Sequence, residues 1–158
     1  MLILTTGGTI DKIYFDASSE YEVGEPMVPH VFREVGAQLD YRLLPLMRKD
    51  SLEMTAEDRA LIRSECEAAA EERIVITHGT DTMAETSEAL LGIAGKVIVL
   101  TGSLAPARFR STDAIFNLGC ALGAAAAGSP GVYLAMHGRV FEAGRVRKNR
   151  EAQRFETI

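Results

Sequence analysis

The chain has 158 residues, of which 47% are hydrophobic and 25% are charged, and its formal net charge is −5. These values are typical of a globular protein and exclude an intrinsically disordered chain. The length suffices for one core, so we expect a single domain over residues 1–158. The negative charge argues against a protein whose whole surface binds nucleic acid, since such proteins are strongly basic.

The apolar stretches are much shorter than the ~20 residues that a membrane-spanning helix requires, and the N-terminus lacks the features of a secretory signal. We therefore expect a cytoplasmic protein that does not bind membranes. Cys66 and Cys120 lack Cys-x-x-Cys spacing, which favours reduced, mostly buried thiols over a disulfide framework. The three histidines show no metal-ligand spacing, so no metal is expected.

Apolar runs and amphipathic stretches alternate along the chain. Runs rich in branched residues predict strands that are buried on both faces, and apolar residues at intervals of three to four predict helices. In chain order, we predict a strand at Leu2–Thr5, a loop at Asp11–Pro29, a helix at Thr55–Glu71, a strand at Arg73–Thr77, a helix at Thr82–Ile93, a strand at Lys96–Leu100, a helix at Thr112–Ala127 and a strand at Val132–Met136. This alternation predicts an α/β fold with a largely parallel sheet.

The long predicted loop, Asp11–Pro29, has no helical periodicity and contains Gly24 and Pro26. We expect a hairpin around Tyr14 and Tyr21 within it. Loops of this length in compact domains are usually functional, which favours a lid.

Three signals mark helix ends in the sequence. Thr55 with Asp58 and Thr82 with Glu85 each fit a capping box, in which a hydroxyl and a carboxylate accept hydrogen bonds from free backbone N–H groups. Gly128 is expected to end the last helix in a left-handed conformation, which glycine adopts without steric penalty.

Two turns rich in hydroxyl groups follow predicted strands. Thr6 precedes Gly7 and Gly8 after the first strand, and His78-Gly-Thr-Asp-Thr82 follows the second. Ligands of open α/β sheets bind beyond the carboxyl ends of the strands, so the two turns are expected to converge on one site. Taken alone, the glycine turn is explained better as a tight turn with locally bonded hydroxyls than as an anion site. His78 is expected to be a hydrogen-bonded structural residue.

A threonine hydroxyl is a weak nucleophile near neutral pH, so it requires a positioned base and donors for the developing oxyanion. The candidate helpers are Tyr14, Tyr21, Lys148 and the carboxylates. Lys148 would act as a base only if burial or the charges of Arg147 and Arg150 lowered its pKa. The alternative interpretation of Lys148 is an exposed cation in the C-terminal segment.

Several motifs occur together in a specific order and spacing: Thr6-Gly-Gly-Thr-Ile10, Glu20-Tyr-Glu-Val-Gly24, Asp50-Ser51, His78-Gly-Thr-Asp-Thr-Met83, Gly102-Ser-Leu-Ala-Pro106 with 113–118 after it, and Val146-Arg-Lys148. Over nearly the whole chain, this set resembles the N-terminal domain of the bacterial-type L-asparaginase family. The resemblance implies a three-layer, Rossmann-like domain with a mixed, largely parallel sheet flanked by helices. It also implies hydrolysis of L-asparagine to L-aspartate and ammonia without a cofactor, and weaker activity on L-glutamine.

Position by position, the resemblance implies that Thr6 is the nucleophile of an acyl-enzyme mechanism and that Tyr21 contacts its hydroxyl. Thr80, Asp81 and Lys148 match a second catalytic set, which activates the attacking group or the hydrolytic water. The residues leave open whether Thr6 or Thr80 attacks first. Ser51 and Asp81 match residues that hold the α-carboxylate and α-amino groups of the substrate, and the other residues expected at the substrate are Gly7, Gly79, Thr80 and Ser103.

The sequence departs from the family pattern at two points. Leu52 stands where better-known members carry a glutamine that holds the amino-acid head, so weaker binding is expected. Typical members also continue into a C-terminal domain that supplies an acidic residue to a neighbouring subunit. We expect that domain to be absent, with Glu20, Glu22 or a symmetric neighbour as the replacement, and we expect a homo-oligomer, either a dimer or a tetramer.

Other functions compete with hydrolysis of free asparagine. One is an amidase that acts on another small amide or on a larger substrate such as aminoacyl-tRNA, where a basic C-terminal segment would matter: Arg139, Arg145, Arg147, Lys148, Arg150 and Arg154. Interleaved glutamates favour a solvated face there, so no nucleic-acid partner is expected. Another is a non-catalytic module that senses asparagine or aspartate. A dinucleotide-binding protein is disfavoured, because the first turn lacks the Gly-x-Gly-x-x-Gly pattern.

Overall fold

The computed structural model describes residues 1–15 and 20–158. In chain order, its elements are β1 (Leu2–Gly7), β2 (Lys12–Phe15), β3 (Glu20–Val23), α1 (Val28–Glu34), β4 (Arg42–Lys49), α2 (Ala56–Ala68), β5 (Arg73–Thr77), α3 (Met83–Ala89), β6 (Val97–Thr101), α4 (Ala114–Ala127), β7 (Gly131–Met136), β8 (Arg139–Glu142), β9 (Val146–Asn149) and β10 (Arg154–Thr157). Short 3-10 turns follow β1 and β4, at Thr9–Asp11 and Ser51–Glu53.

The main sheet, as far as the chain is described, has six strands in the order β4-β1-β5-β6-β7-β8. The first five are parallel, and β8 pairs antiparallel with β7. Thr5 in β1 lies opposite Thr77 in β5, which lies opposite Thr101 in β6. The carboxyl ends of three neighbouring strands therefore meet at the edge where α/β sheets bind ligands.

The core has two parts, one on each face of the sheet. Leu2 and Leu4 of β1 pack with α2 and α3, through residues such as Ile62 and Met83. Ile3, which points to the opposite face, packs with α1 and α4. Strands buried on both faces need continuous apolar sequence, and this arrangement confirms the predicted three-layer fold with helices flanking a mixed, largely parallel sheet.

The predicted strand Arg73–Thr77 is found with the same boundaries, and the other three are shifted by one or two residues, whereas the predicted helices are too long. The helix expected over Thr82–Ile93 spans only Met83–Ala89. The predicted loop was wrong at its end, because α1 begins at Val28 and includes Pro29. Proline is tolerated in a first helical turn, where its missing N–H would have no partner. None of the helices in the described ranges is long and apolar enough to cross a membrane.

The hairpin expected around Tyr14 and Tyr21 is confirmed: β2 and β3 pair antiparallel, with these two residues opposite each other. Residues 16–19 of the predicted loop lie outside the described residues. Cys66 is a buried free thiol and Cys120 is a partly buried one, and burial raises the pKa of Cys66 to about 12.

The helix-end predictions had mixed outcomes. The Thr55 and Asp58 capping box is confirmed. The box at Thr82 was wrong, because the Thr82 hydroxyl instead donates to the carbonyl of Ser51 at 2.7 Å. Gly128 does end α4, but its φ of −71° is not left-handed. Glycine is needed there for space, since a Cβ would lie 2.6 Å from the carbonyl oxygen of Ala124.

Candidate active site

Thr6 lies near the end of β1 and is fully buried. Its hydroxyl donates to the carbonyl of Thr77 at 2.9 Å, which ties β1 to β5 at their carboxyl ends. Gly7 and Gly8 follow with φ values of +96° and +83°, in the left-handed region that favours glycine. A Cβ on Gly8 would lie 2.5 Å from the amide nitrogen of Gly79. The two hydroxyl-rich turns therefore touch each other, and only glycine fits at the point of contact.

The Ser51 turn is the third component of the site. A Cβ on Gly79 would lie 2.6 Å from both Cβ and Oγ of Ser51, so the Ser51 side chain packs directly on the second hydroxyl-rich turn. The bond from Thr82 to the Ser51 carbonyl fixes the same contact from the other side. Ser51 is 1% exposed, and its hydroxyl has no hydrogen-bond partner among the described residues. Buried hydroxyls are usually bonded, so this one is suited to a ligand.

Thr80, Asp81 and Lys148 form one hydrogen-bonded cluster. The Lys148 ammonium donates to Thr80 Oγ1 at 2.7 Å and to Asp81 Oδ1 at 2.8 Å. Its side chain is only 12% exposed, so the interpretation as an exposed tail cation was wrong. Lys148 lies in β9, where it pairs with Phe155 of β10. Arg150 contributes a second positive charge, with its Nε 3.8 Å from Asp81 Oδ1.

Tyr21 lies apart from this cluster. The residue is 52% exposed, and its ring packs against those of Tyr14 and Phe109, with ring centroids 5.4 and 6.1 Å away. Among the described hydrogen bonds, none joins Tyr21 to Thr6. Tyr21 instead lines a cleft of about 500 Å³ together with Lys12, Arg48, Asp50, Leu52 and others. The structure brings Thr80, Asp81 and Lys148 together, but it leaves Tyr21 at the rim.

Ser103 lies on the turn that follows β6. It is buried, and its hydroxyl donates to the carbonyl of Ala105 at 2.6 Å. A Cβ on Gly102 would overlap the carbonyl oxygen of His78, so this turn packs tightly against the second hydroxyl-rich turn. Ser103 thus lies next to the site, with its hydroxyl bonded within its own turn.

His78 is fully buried beneath the site. Nδ1 lies 2.7 Å from the carbonyl oxygen of Gly79, and Nε2 lies 2.8 Å from Thr86 Oγ1. Because a carbonyl only accepts, Nδ1 carries the proton and Nε2 accepts from the threonine hydroxyl. Burial lowers the pKa of His78 to about 4, so the ring is neutral near pH 7. The prediction of a hydrogen-bonded structural histidine is confirmed.

Lys12 was missed by the sequence reasoning, although it lies in the cleft beside Ser51. Its ammonium donates to Asp50 Oδ2 at 2.8 Å. The only signal in the sequence was its place just after the first hydroxyl-rich turn, which does not show that a strand returns it to the site. Across residues 1–15 and 20–158, no three His, Cys, Asp or Glu side chains are grouped to hold a metal ion.

A family model described as "Asparaginase, N-terminal" matches residues 1–158. The chain belongs to the asparaginase family. It is 37% identical over 162 residues to the L-asparaginase of Thermococcus kodakarensis, a match that covers 94% of this chain and 47% of that protein. The structure of the thermostable L-asparaginase from Thermococcus kodakarensis superposes with a TM-score of 0.83 at 29% identity, covering 99% of this chain and 50% of that one.

A second kind of relative also matches. A component of the glutamyl-tRNA(Gln) amidotransferase of Methanococcus vannielii is 44% identical over 89 residues, covering 55% of this chain and 20% of that protein. This chain spans about half the length of the Thermococcus kodakarensis L-asparaginase.

Proposed function

We propose that this protein is an amidohydrolase that converts L-asparagine to L-aspartate and ammonia, with L-glutamine as a poorer substrate. Family membership supports the amidohydrolase class. The observation that carries the proposal is the cluster in which Lys148 of β9 binds Thr80 and Asp81. Thr80 and Asp81 follow Gly79, which touches Gly8, two residues after Thr6. A hydroxyl, a carboxylate and an ammonium beside a second hydroxyl are the groups that acyl transfer through threonine requires.

The amino-acid head of the substrate is assigned to Ser51 and Asp81. The buried Ser51 hydroxyl lacks a partner among the described residues, so it has a free donor for the α-carboxylate. Asp81 keeps acceptor capacity beyond its bond to Lys148, which suits the α-ammonium group. The head would thus lie across the contact between the Ser51 turn and the second hydroxyl-rich turn.

In the proposed first step, Thr6 Oγ attacks the carbon of the side-chain amide. Its hydroxyl must first leave the carbonyl of Thr77, because that carbonyl is not a base. The C–N bond breaks, the nitrogen takes up the proton that the Thr6 hydroxyl gives up and leaves as ammonia, and an ester to Thr6 remains. Backbone N–H groups of the two turns would stabilise the oxyanion, and a well-placed donor contributes about 3 kcal/mol.

In the proposed second step, water cleaves the ester, releases L-aspartate and restores the Thr6 hydroxyl. The Lys148 ammonium holds Thr80 and Asp81 in one geometry, so this set is available to orient the water and exchange its proton. Thr80 stays the alternative nucleophile, since its hydroxyl is bound directly to Lys148. A lid role for the segment Asp11–Pro29, a single domain and a homo-oligomer stay predictions.

One relative favours a second candidate function. The match to a component of a glutamyl-tRNA(Gln) amidotransferase is consistent with an amidase component that acts together with an aminoacyl-tRNA. In that case ammonia release would depend on the tRNA, and binding of the tRNA would weaken as salt is raised.

The proposal is tested by measuring ammonia and L-aspartate released from L-asparagine by the wild type and by Lys148→Met. General acid–base groups typically contribute about 10²- to 10⁴-fold, so the variant should lose activity on that scale. Lys96→Met is a matched control, because the Lys96 ammonium donates to the carbonyls of Ala69 and Glu71, away from the site. The proposal is wrong if the wild type releases no more ammonia than Lys148→Met.

A further inference from the structure

Lys12 connects the β2–β3 hairpin to the Ser51 turn. It is the first residue of β2, and its Nζ lies 2.8 Å from Oδ2 of Asp50. Asp50 is the residue that precedes Ser51 in the sequence. The two side chains are 26% and 33% exposed, so the pair lies within the cleft and not on the open surface. No other salt bridge of Lys12 is found among the described residues.

Asp50 uses both of its carboxylate oxygens. While Oδ2 accepts from Lys12, Oδ1 accepts from the backbone N–H of Leu52 at 3.2 Å and so caps the 3-10 turn Ser51–Glu53. Ser51 is therefore held in place by three contacts. Gly79 packs against its side chain, the Thr82 hydroxyl donates to its backbone carbonyl, and the Asp50 carboxylate fixes the start of the Ser51 turn. The contacts with Gly79 and Thr82 come from the α/β framework, whereas the Asp50 carboxylate is itself held by Lys12.

The Lys12 ammonium also compensates the charge of Asp50. Partial burial opposes ionisation of Asp50, but the hydrogen bonds from Lys12 and Leu52 and the positive charges of Lys12 and Lys148 outweigh it, so the pKa lies below its ordinary value. The carboxylate is then charged at neutral pH. Without Lys12, Asp50 would lose its salt-bridge partner and would be a poorly compensated anion next to the hydroxyl to which we assign the substrate's α-carboxylate.

We propose that Lys12 is a positioning residue that sets Ser51 for the amino-acid head of the substrate by pairing with Asp50. This inference rests on the proposed function. Lys12 shares no hydrogen bond with Thr6, Thr80 or Lys148 in the described structure, so it acts on binding of the head and not on the chemical step. Loss of uniform binding raises KM and leaves kcat unchanged.

The test compares the steady-state kinetics of the wild type, Lys12→Met and Lys12→Arg on L-asparagine. Loss of a charged hydrogen bond of this kind should raise KM about tenfold in Lys12→Met, with kcat within about twofold of the wild type. Lys12→Arg keeps the charge and should recover most of the affinity. Lys96→Met should leave KM unchanged, because the Lys96 ammonium donates to the carbonyls of Ala69 and Glu71.

Binding of the product L-aspartate, measured by calorimetry, separates this inference from the proposed function. If the wild type releases no ammonia, the proposed function fails, and the dissociation constants of L-aspartate decide the role of Lys12. A weaker constant in Lys12→Met supports the inference. Equal constants, an unchanged KM, a fall in kcat alone, or no binding by the wild type would each overturn it.

A second variant guards against a failure of Lys12→Met to fold. Asp50→Asn removes the charge that Lys12 compensates, and it should raise KM to a similar extent. Because both residues act through one ion pair, the double variant should be no worse than either single variant. Additive effects in the double variant would contradict a shared role.

Discussion

At the scale of single residues, the site depends on positions where no side chain fits. Gly8 and Gly79 let three turns approach closely enough to share one surface. Gly8 also has a left-handed φ of +83°, so a substitution there combines strain with overlap. Gly79 does not have a left-handed φ, so a substitution at this position tests the effect of steric overlap without backbone strain.

Gly79→Ala should weaken both substrate binding and the fold. The added Cβ would lie 2.6 Å from the Ser51 side chain and would push the hydroxyl from its place. Overpacking of this kind typically costs about 1–3 kcal/mol of stability. We expect KM for L-asparagine to rise at least about tenfold, as the Ser51 contact is lost. Steady-state kinetics and urea unfolding would measure the two effects.

Gly119→Ala is the matched control for this prediction. Gly119 lies within α4, where an added Cβ would meet no atom within 4 Å. Alanine is favoured over glycine inside a helix by about 0.5–1 kcal/mol, so this variant should be slightly more stable with an unchanged KM. A Gly79→Ala variant that behaves like Gly119→Ala would show that Ser51 does not bind the substrate.

At the scale of secondary structure, the sequence predicts the strands that the sheet buries and misses those at its borders. Leu2–Thr5 and Arg73–Thr77 are continuous apolar runs because helices cover both of their faces. Strand β4 is missed because it is the edge strand beside β1, and its sequence mixes Arg42, Pro45 and Lys49 with apolar residues. An edge strand needs no continuous apolar sequence, so no pattern marks it.

For the candidate catalytic residues, too, the sequence predicts some positions and misses others. The convergence of the two hydroxyl-rich turns follows from strand order alone, since both turns end neighbouring parallel strands. The position of Lys148 does not follow, because it lies on the short β9–β10 ribbon, whose alternating charges resemble a solvated tail. The residues alone named Lys148 as one of several candidate helpers, and the family resemblance singled it out. The role of Thr82 was misjudged, since a pattern for a local cap cannot reveal a more distant acceptor such as the Ser51 carbonyl.

At the scale of the whole molecule, two buried titratable groups oppose each other in their effect on stability. Burial raises the pKa of Asp11 to about 7, against the hydrogen bond from Met27 N–H and the charge of Arg48. Between its ordinary value of 3.8 and about 7, the native state binds more protons than the unfolded state, so stability falls as pH rises. His78, with a pKa of about 4 against 6.5, acts in the opposite sense: stability falls as pH drops through that window.

Asp11→Asn should therefore change how stability depends on pH. The amide keeps an acceptor for Met27 N–H but cannot ionise. The rise of the free energy of unfolding with pH that is due to His78 is then no longer opposed by Asp11. Relative to the wild type, the variant should gain free energy of unfolding between about pH 5 and pH 7, by up to roughly 1.4 kcal/mol per pH unit. Urea unfolding at the two pH values measures this. If the free energies of unfolding of variant and wild type differ by the same amount at both pH values, Asp11 does not titrate in this range.

The central claim is that the two threonine turns of this asparaginase-family chain form one amidohydrolase site. Its most direct test is ammonia release from L-asparagine by the wild type, Thr6→Ala and Thr80→Ala at equal concentration. We predict turnover by the wild type and its loss in both variants. If the wild type releases no more ammonia than the variants while L-aspartate still raises its melting temperature, the protein binds the amino acid without catalysis, and the claim is wrong.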